Sequence, residues 1–200
     1  VKLPNAGLGI DFGGHGYFGK TEVLPGTTLT GFTDVNGVAF TPVVGDKLDK
    51  SWLGAEMQIY YDLLGGMALK AEYISGTLSG VGSNAAYANN NSGFKVAGLR
   101  NFSGYYATLI KNIGKSHQFI ARYDEFDPNT KLSGDAVTNA NDLKYNTMTL
   151  SWQYFFDDNI KVVAGYSMPI NEKTAGITTG DYANRDKVDN QFSIRIQAKF

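Results

Sequence analysis

Apolar and polar residues alternate at every second position along much of this chain, and helical spacing is hard to find. The final segment is the clearest case. Phe192, Ile194, Ile196, Ala198 and Phe200 interleave with Ser193, Arg195, Gln197 and Lys199. In an extended strand these two sets point to opposite sides of a sheet. Residues 160–168 set Ile160, Val162, Ala164, Tyr166 and Met168 against Lys161, Gly165 and Ser167, with Val163 as an exception. Residues 147–156 set Met148, Leu150, Trp152, Tyr154 and Phe156 against Thr147, Thr149, Ser151 and Gln153. In residues 117–126, Phe119, Ala121 and Tyr123 oppose Gln118, Arg122 and Asp124. Residues 66–78 give Met67, Leu69, Ala71 and Tyr73 opposite Lys70 and Glu72. Residues 51–61 give Leu53, Ala55, Met57, Ile59 and Tyr61 opposite Glu56 and Gln58. Residues 6–20 give Leu8, Ile10, Phe12 and Phe18 opposite Asp11, His15 and Tyr17. Residues 100–110 also read as a strand, but aromatics at both parities leave its facing open.

The connections between these eight strands alternate in length. Residues 62–66, 111–116 and 157–159 are short turns; about 21–49, 79–98, 127–144 and 170–188 are long and rich in Gly, Asn, Asp and Thr. Short turns at one end and long polar loops at the other are the pattern of an outer-membrane meander. The expectation is an all-β fold, a transmembrane antiparallel meander β-barrel forming a single domain over residues 1–200. Eight strands place both chain ends on the periplasmic side. Aromatics gather near strand ends: Tyr60, Tyr61, 154–156 and Phe200 at one, Tyr17, Phe18, Tyr73, Phe126, Tyr166 and Phe192 at the other. Amphipathic rings favour the headgroup zone, so two girdles are expected of a spanning barrel. The competing reading is a soluble β-sandwich, in which the apolar rows are a packed core.

Composition narrows the choice. The chain has 42% hydrophobic residues, which excludes a disordered segment, and a net charge of −1, which calls for no nucleic acid. Cys is absent, so disulfides, thiolate metal sites and Cys catalysis are excluded. No run of 18 apolar residues occurs, which excludes a membrane helix but not spanning strands of about 9–11 residues. No G-x-S-x-G, Walker A or H-E-x-x-H motif is present, and nothing in the chain supports an enzyme or a cofactor. His15 and His117 are the only histidines, and they read as polar wall or loop residues. The glycine-rich run 8–14 sits in a strand pattern and reads as easing packing or bending. Asp124, Asp127 and Asn129, with Glu125 beside them, are clustered oxygen donors for which Ca²⁺ is conceivable, although the spacing is not that of an EF-hand.

Four stretches carry a likeness to a known family. They are LGAEMQIYYDLLGGMALKAEYISGT (53–77), RNFSGYYATLIKNIGKSHQFIARYDEFDPNT (100–130), TLSWQYFFDDNIKVVAGY (149–166) and DNQFSIRIQAKF (189–200). The chain resembles the C-terminal half of the outer-membrane porins of the phosphate-selective O/P type found in Bacteroidota. Residues 1–50 match less distinctly. The resemblance implies a larger closed barrel of about 16 strands, with an N-terminal half missing from this chain. It also implies an outer-membrane location, contact with membrane lipid, and the homotrimer that porins often form. Phe192, Ile194, Ile196 and Phe200 resemble the terminal signal read by the barrel assembly machinery; an ordinary amphipathic strand gives the same alternation.

The strand parity defines an inward set: Asp11, His15, Glu56, Gln58, Lys70, Glu72, Gln118, Arg122, Asp124, Lys161, Arg195, Gln197 and Lys199. Five are basic and four acidic, so the Arg- or Lys-rich ladder that phosphate selectivity would need is not evident. The expected function is passive diffusion of small polar or ionic solutes, anions such as phosphate among them. Two alternatives stand beside it. One is a small closed eight-stranded barrel serving as an anchor or adhesin, since eight strands leave little lumen. The other is a soluble carbohydrate-binding β domain.

Overall fold

The computed structural model describes residues 2–3, 7–23, 32–33, 39–40, 43–62, 65–79, 99–138 and 140–199. The strands are β1 (Lys2–Leu3), β2 (Leu8–Glu22), β3 (Phe32–Thr33), β4 (Ala39–Phe40), β5 (Lys47–Tyr61) and β6 (Met67–Ser79). They continue with β7 (Leu99–Ile113), β8 (His117–Asp127), β9 (Tyr145–Phe155), β10 (Ile160–Asn171) and β11 (Gln191–Ala198). One antiparallel sheet runs β1-β2-β5-β6-β7-β8-β9-β10-β11, and β3 and β4 pair separately. All eight expected strands are present and are joined as a meander. Several extend by two to four residues beyond the expected bounds, toward the long connections.

The short turns follow from local chemistry. Gly65 and Gly66 both have positive φ, 91° and 94°, a region closed to most side chains. Asp157 Oδ1 accepts the backbone N–H groups of Asn159 at 2.7 Å and Ile160 at 2.8 Å, which closes the β9–β10 turn.

The sheet is open. β11 pairs only with β10, and from Asp11 to Glu22 the outer edge of β2 has no strand partner among the described residues. The small closed eight-stranded ring is therefore not the observed architecture: its closure needs β2 hydrogen-bonded to β11. The extensive contacts between strands lie between hydrogen-bonded neighbours, so no second layer of strands packs on either face of the described sheet.

The best-buried side chains lie off the sheet. Val137 and Leu143 are fully buried with Thr174 nearly so, and Ile177, Leu132, Ala140, Tyr145 and Tyr182 surround this cluster. It joins the β8–β9 connection to the β10–β11 connection. Glu172 accepts from the N–H of Gly134 at 2.9 Å, and Asp135 accepts from that of Ala175 at 3.0 Å. Thr174 Oγ1 donates to the Val137 carbonyl at 3.0 Å. The two connections thus form one folded unit with its own small core. Leu143→Ala is expected to loosen that unit by about 2–4 kcal/mol through the cavity it leaves. The readout is faster protease cutting within residues 128–144, with the strand signal in circular dichroism unchanged.

Candidate functional site

Register fixes which side chains share a face, because directly paired residues on antiparallel strands point the same way. One cross-strand row is Asp11, Gln58, Lys70, Thr108, Arg122, Thr149, Ser167 and Gln191. The next is Gly13, Glu56, Glu72, Tyr106, Asp124 and Thr147. His15 lies one row above, opposite Gly54. Gln118 pairs Gln153, Lys161 pairs Gln197, and Arg195 pairs Val163. Twelve of the thirteen residues expected to face inward therefore share a single polar face. Lys199, the thirteenth, follows the last residue of β11.

The opposite face is apolar over a limited height. On β5 it reads Leu53, Ala55, Met57, Ile59 and Tyr61; on β10, Ile160, Val162, Ala164, Tyr166, Met168 and Ile170. These side chains are uncovered: Phe12 is 73% exposed, Leu53 62% and Ile196 72%. Phe192 and Ile194 stand in the same band, while Phe200 lies outside the described residues. The band ends in polar groups on both sides. Toward the long connections, Tyr105 and Tyr123 direct their hydroxyls at Glu125, at 3.5 and 3.3 Å. Toward the short turns, Lys111 donates to the Gly66 carbonyl at 3.3 Å, and Trp152 Nε1 donates to His117 Nδ1 at 3.1 Å.

β7, whose facing the alternation left open, puts Arg100, Phe102, Tyr106 and Thr108 on the polar face. The aromatic girdles also need correction. Tyr17, Tyr60, Phe126 and Phe155 stand on the polar face, because each pairs within its rows. Tyr17 stacks on Trp52 with ring centroids 4.5 Å apart, and Phe102 meets Phe126 at 6.0 Å. Of the expected rings, Phe18, Tyr73, Tyr166 and Phe192 stay on the apolar face toward the loops, where Tyr105 joins them, and Tyr61 and Tyr154 stay toward the turns, with Phe156 edge-on against Tyr154.

Charges on the polar face are laced together. His15 Nε2 lies 3.2 Å from Glu72 Oε1. Arg122 sits 4.2 Å over the Tyr106 ring and 3.3 Å from Asp124. Lys161 reaches Gln153 at 3.4 Å. No ion pair engages Arg195 or Lys199 among the described residues. The carboxylate and amide group around Asp124 does not gather on a cation. Asp124 faces Arg122, while Asp127 points to the other face and accepts the Asn129 N–H at 2.9 Å. Asn129 donates to Asp142 at 3.0 Å. Among the described residues no three His, Asp or Glu side chains come together as a metal site.

The folded loop unit is fastened to the polar side. Arg100 Nε lies 2.7 Å from Asp142 Oδ1, whose side chain is 8% exposed. Tyr145 packs edge-on against Tyr182, and Asn171 receives the Lys187 N–H at 2.8 Å. Arg100, Tyr145 and Asn171 all belong to polar-face rows, so the unit leans toward that side of the sheet. These anchors carry no local sequence signal because their partners lie 16–42 residues away in loops. Arg100→Ala leaves Asp142 buried without its charged partner, with only the Asn129 amide donating to it. The expected cost to loop docking is about 3 kcal/mol, read as faster amide hydrogen exchange at residues 140–144.

No family model, no curated protein and no solved structure matches the chain.

Proposed function

We propose that this chain is an arc of an outer-membrane porin, a water-filled β-barrel through which small polar or ionic solutes diffuse passively. The observation that carries the reading is the uncovered apolar band. It spans nine residues on β5, Leu53 to Tyr61, and eleven on β10, Ile160 to Ile170. A tilted strand crosses hydrocarbon in about 9–11 residues. In water so large an exposed apolar surface marks an interaction site or an aggregation liability. Against lipid it is the ordinary wall of a barrel, with tyrosines and charges at its two margins. The other face is suited to water: amides, hydroxyls and charges of both signs run across all eight long strands.

The open edges fit the same reading. Unpaired N–H and C=O groups in hydrocarbon cost several kcal/mol each, so a sheet in lipid closes on itself or on further strands. We take this sheet as part of a ring of about 16 strands, the size class with an aqueous lumen. The long connections face the cell exterior and the short turns face the periplasm. Phe192, Ile194 and Ile196 serve the barrel assembly machinery as its terminal signal. Mixed charges on the polar face favour weak ion preference over a dedicated phosphate ladder.

The chain's two tryptophans test the facing directly, because Trp152 lies on the apolar face and Trp52 on the polar face. In proteoliposomes, Trp52→Phe leaves emission that brominated acyl chains quench. Trp152→Phe leaves emission that aqueous quenchers reach and brominated chains do not; the reverse pattern defeats the lipid-facing assignment. Conduction is tested on the full-length protein in planar bilayers, where stepwise open currents are expected. Their absence removes the porin reading and leaves a membrane anchor.

A further inference from the structure

We propose that His15 and Glu72 form a proton-sensitive charge-selectivity element on the polar face; this rests on the porin reading. The two residues stand on β2 and β6, with β5 between them, yet His15 Nε2 comes within 3.2 Å of Glu72 Oε1. Glycine makes that reach possible. Gly54 is directly opposite His15, and a Cβ there would fall on the imidazole, 3.1 Å from Nδ1 and closer still to Cε1 and Nε2. Gly13 provides a second notch: a Cβ on it would meet the Glu56 carboxyl, with Cγ at 2.8 Å. Glycine inside a strand weakens it and marks a close approach. Here the approach is of side chains, which lie flat across the sheet and meet instead of standing apart.

The surroundings make the pair electrically consequential. Glu56 is directly opposite Glu72, so two carboxylates share adjacent positions that ordinarily repel. On β2, Asp11 is the other ionisable group of this field. Lys70 on β6, Tyr106 on β7, and Arg122 and Asp124 on β8 complete it. With imidazole neutral, four carboxylates stand against two cations. Imidazole is the side-chain type whose charge changes between about pH 5 and 8. Its protonation takes the local sum from −2 to −1 and places the added charge on the carboxylate pair. Carboxylates along a pore wall draw cations, so cation preference falls as the pH is lowered. His117, the only other histidine, is on the opposite face and bonds Trp152, so it provides an internal control.

The test is the reversal potential of the full-length protein in planar bilayers under a KCl gradient, at pH values from 8 down to 5.5. The native protein's ion preference is expected to move toward anions across that range. His15→Gln and His15→Asn flatten the profile, and His117→Gln keeps it. Glu72→Gln lowers the cation preference at pH 8, and Gly54→Ala weakens the step by displacing the ring. Open current with a native step retained in His15→Gln, or with no native step, overturns this proposal and leaves the porin standing. No current at any pH overturns both.

Discussion

One antiparallel register, carried without a break from β2 to β11, is the constraint on which everything else here depends. Side chains alternate faces with a period of two, so a one-residue slip between any two strands would send a whole strand's apolar set to the wrong side. No slip occurs. Ile10, Ile59, Leu69, Leu109, Ala121, Leu150, Tyr166 and Phe192 fall in one row across all eight long strands. Asp11, Gln58, Lys70 and Arg122 fall in its counterpart on the reverse. The short turns hold this register locally through Gly65, Gly66 and the Asp157 side chain. The sheet is therefore amphipathic in two directions: across its thickness, and along its strands, where the apolar band gives way to polar margins.

Much of this was legible in the residues. Strands such as β10 and β11 announce themselves because one parity is almost purely apolar and the other polar. β7 resisted because Tyr105 and Leu109 on one parity are matched by Phe102, Tyr106 and Ile110 on the other. The reason is physical. Toward the long connections the polar face also buries side chains, with Phe102 only 8% exposed and its ring beside that of Phe126. Alternation signals strand facing only where one side stays wet. The aromatic girdles were over-drawn for the same reason, since proximity to a strand end does not decide which face a ring occupies.

The loop unit and the His15–Glu72 contact were beyond sequence reading for another reason. Both are long-range: Thr174 meets Val137 over 37 residues, and His15 meets Glu72 over 57. The second depends on a missing side chain at Gly54, on a strand that belongs to neither partner. Within the glycine-rich run of β2, Gly13 leaves room for the Glu56 side chain.

The welding of the β8–β9 and β10–β11 connections into one body changes how this part of the molecule can drift. Surface loops ordinarily accept insertions and substitutions independently, since little else depends on them. Here Glu172 holds Gly134, Asp135 holds Ala175, and Val137 shares one small core with Ile177. A lengthening of either segment would open that interior unless the other segment changed in step. Natural variation in these two stretches should be correlated, as it is between the halves of a hinge and its pin.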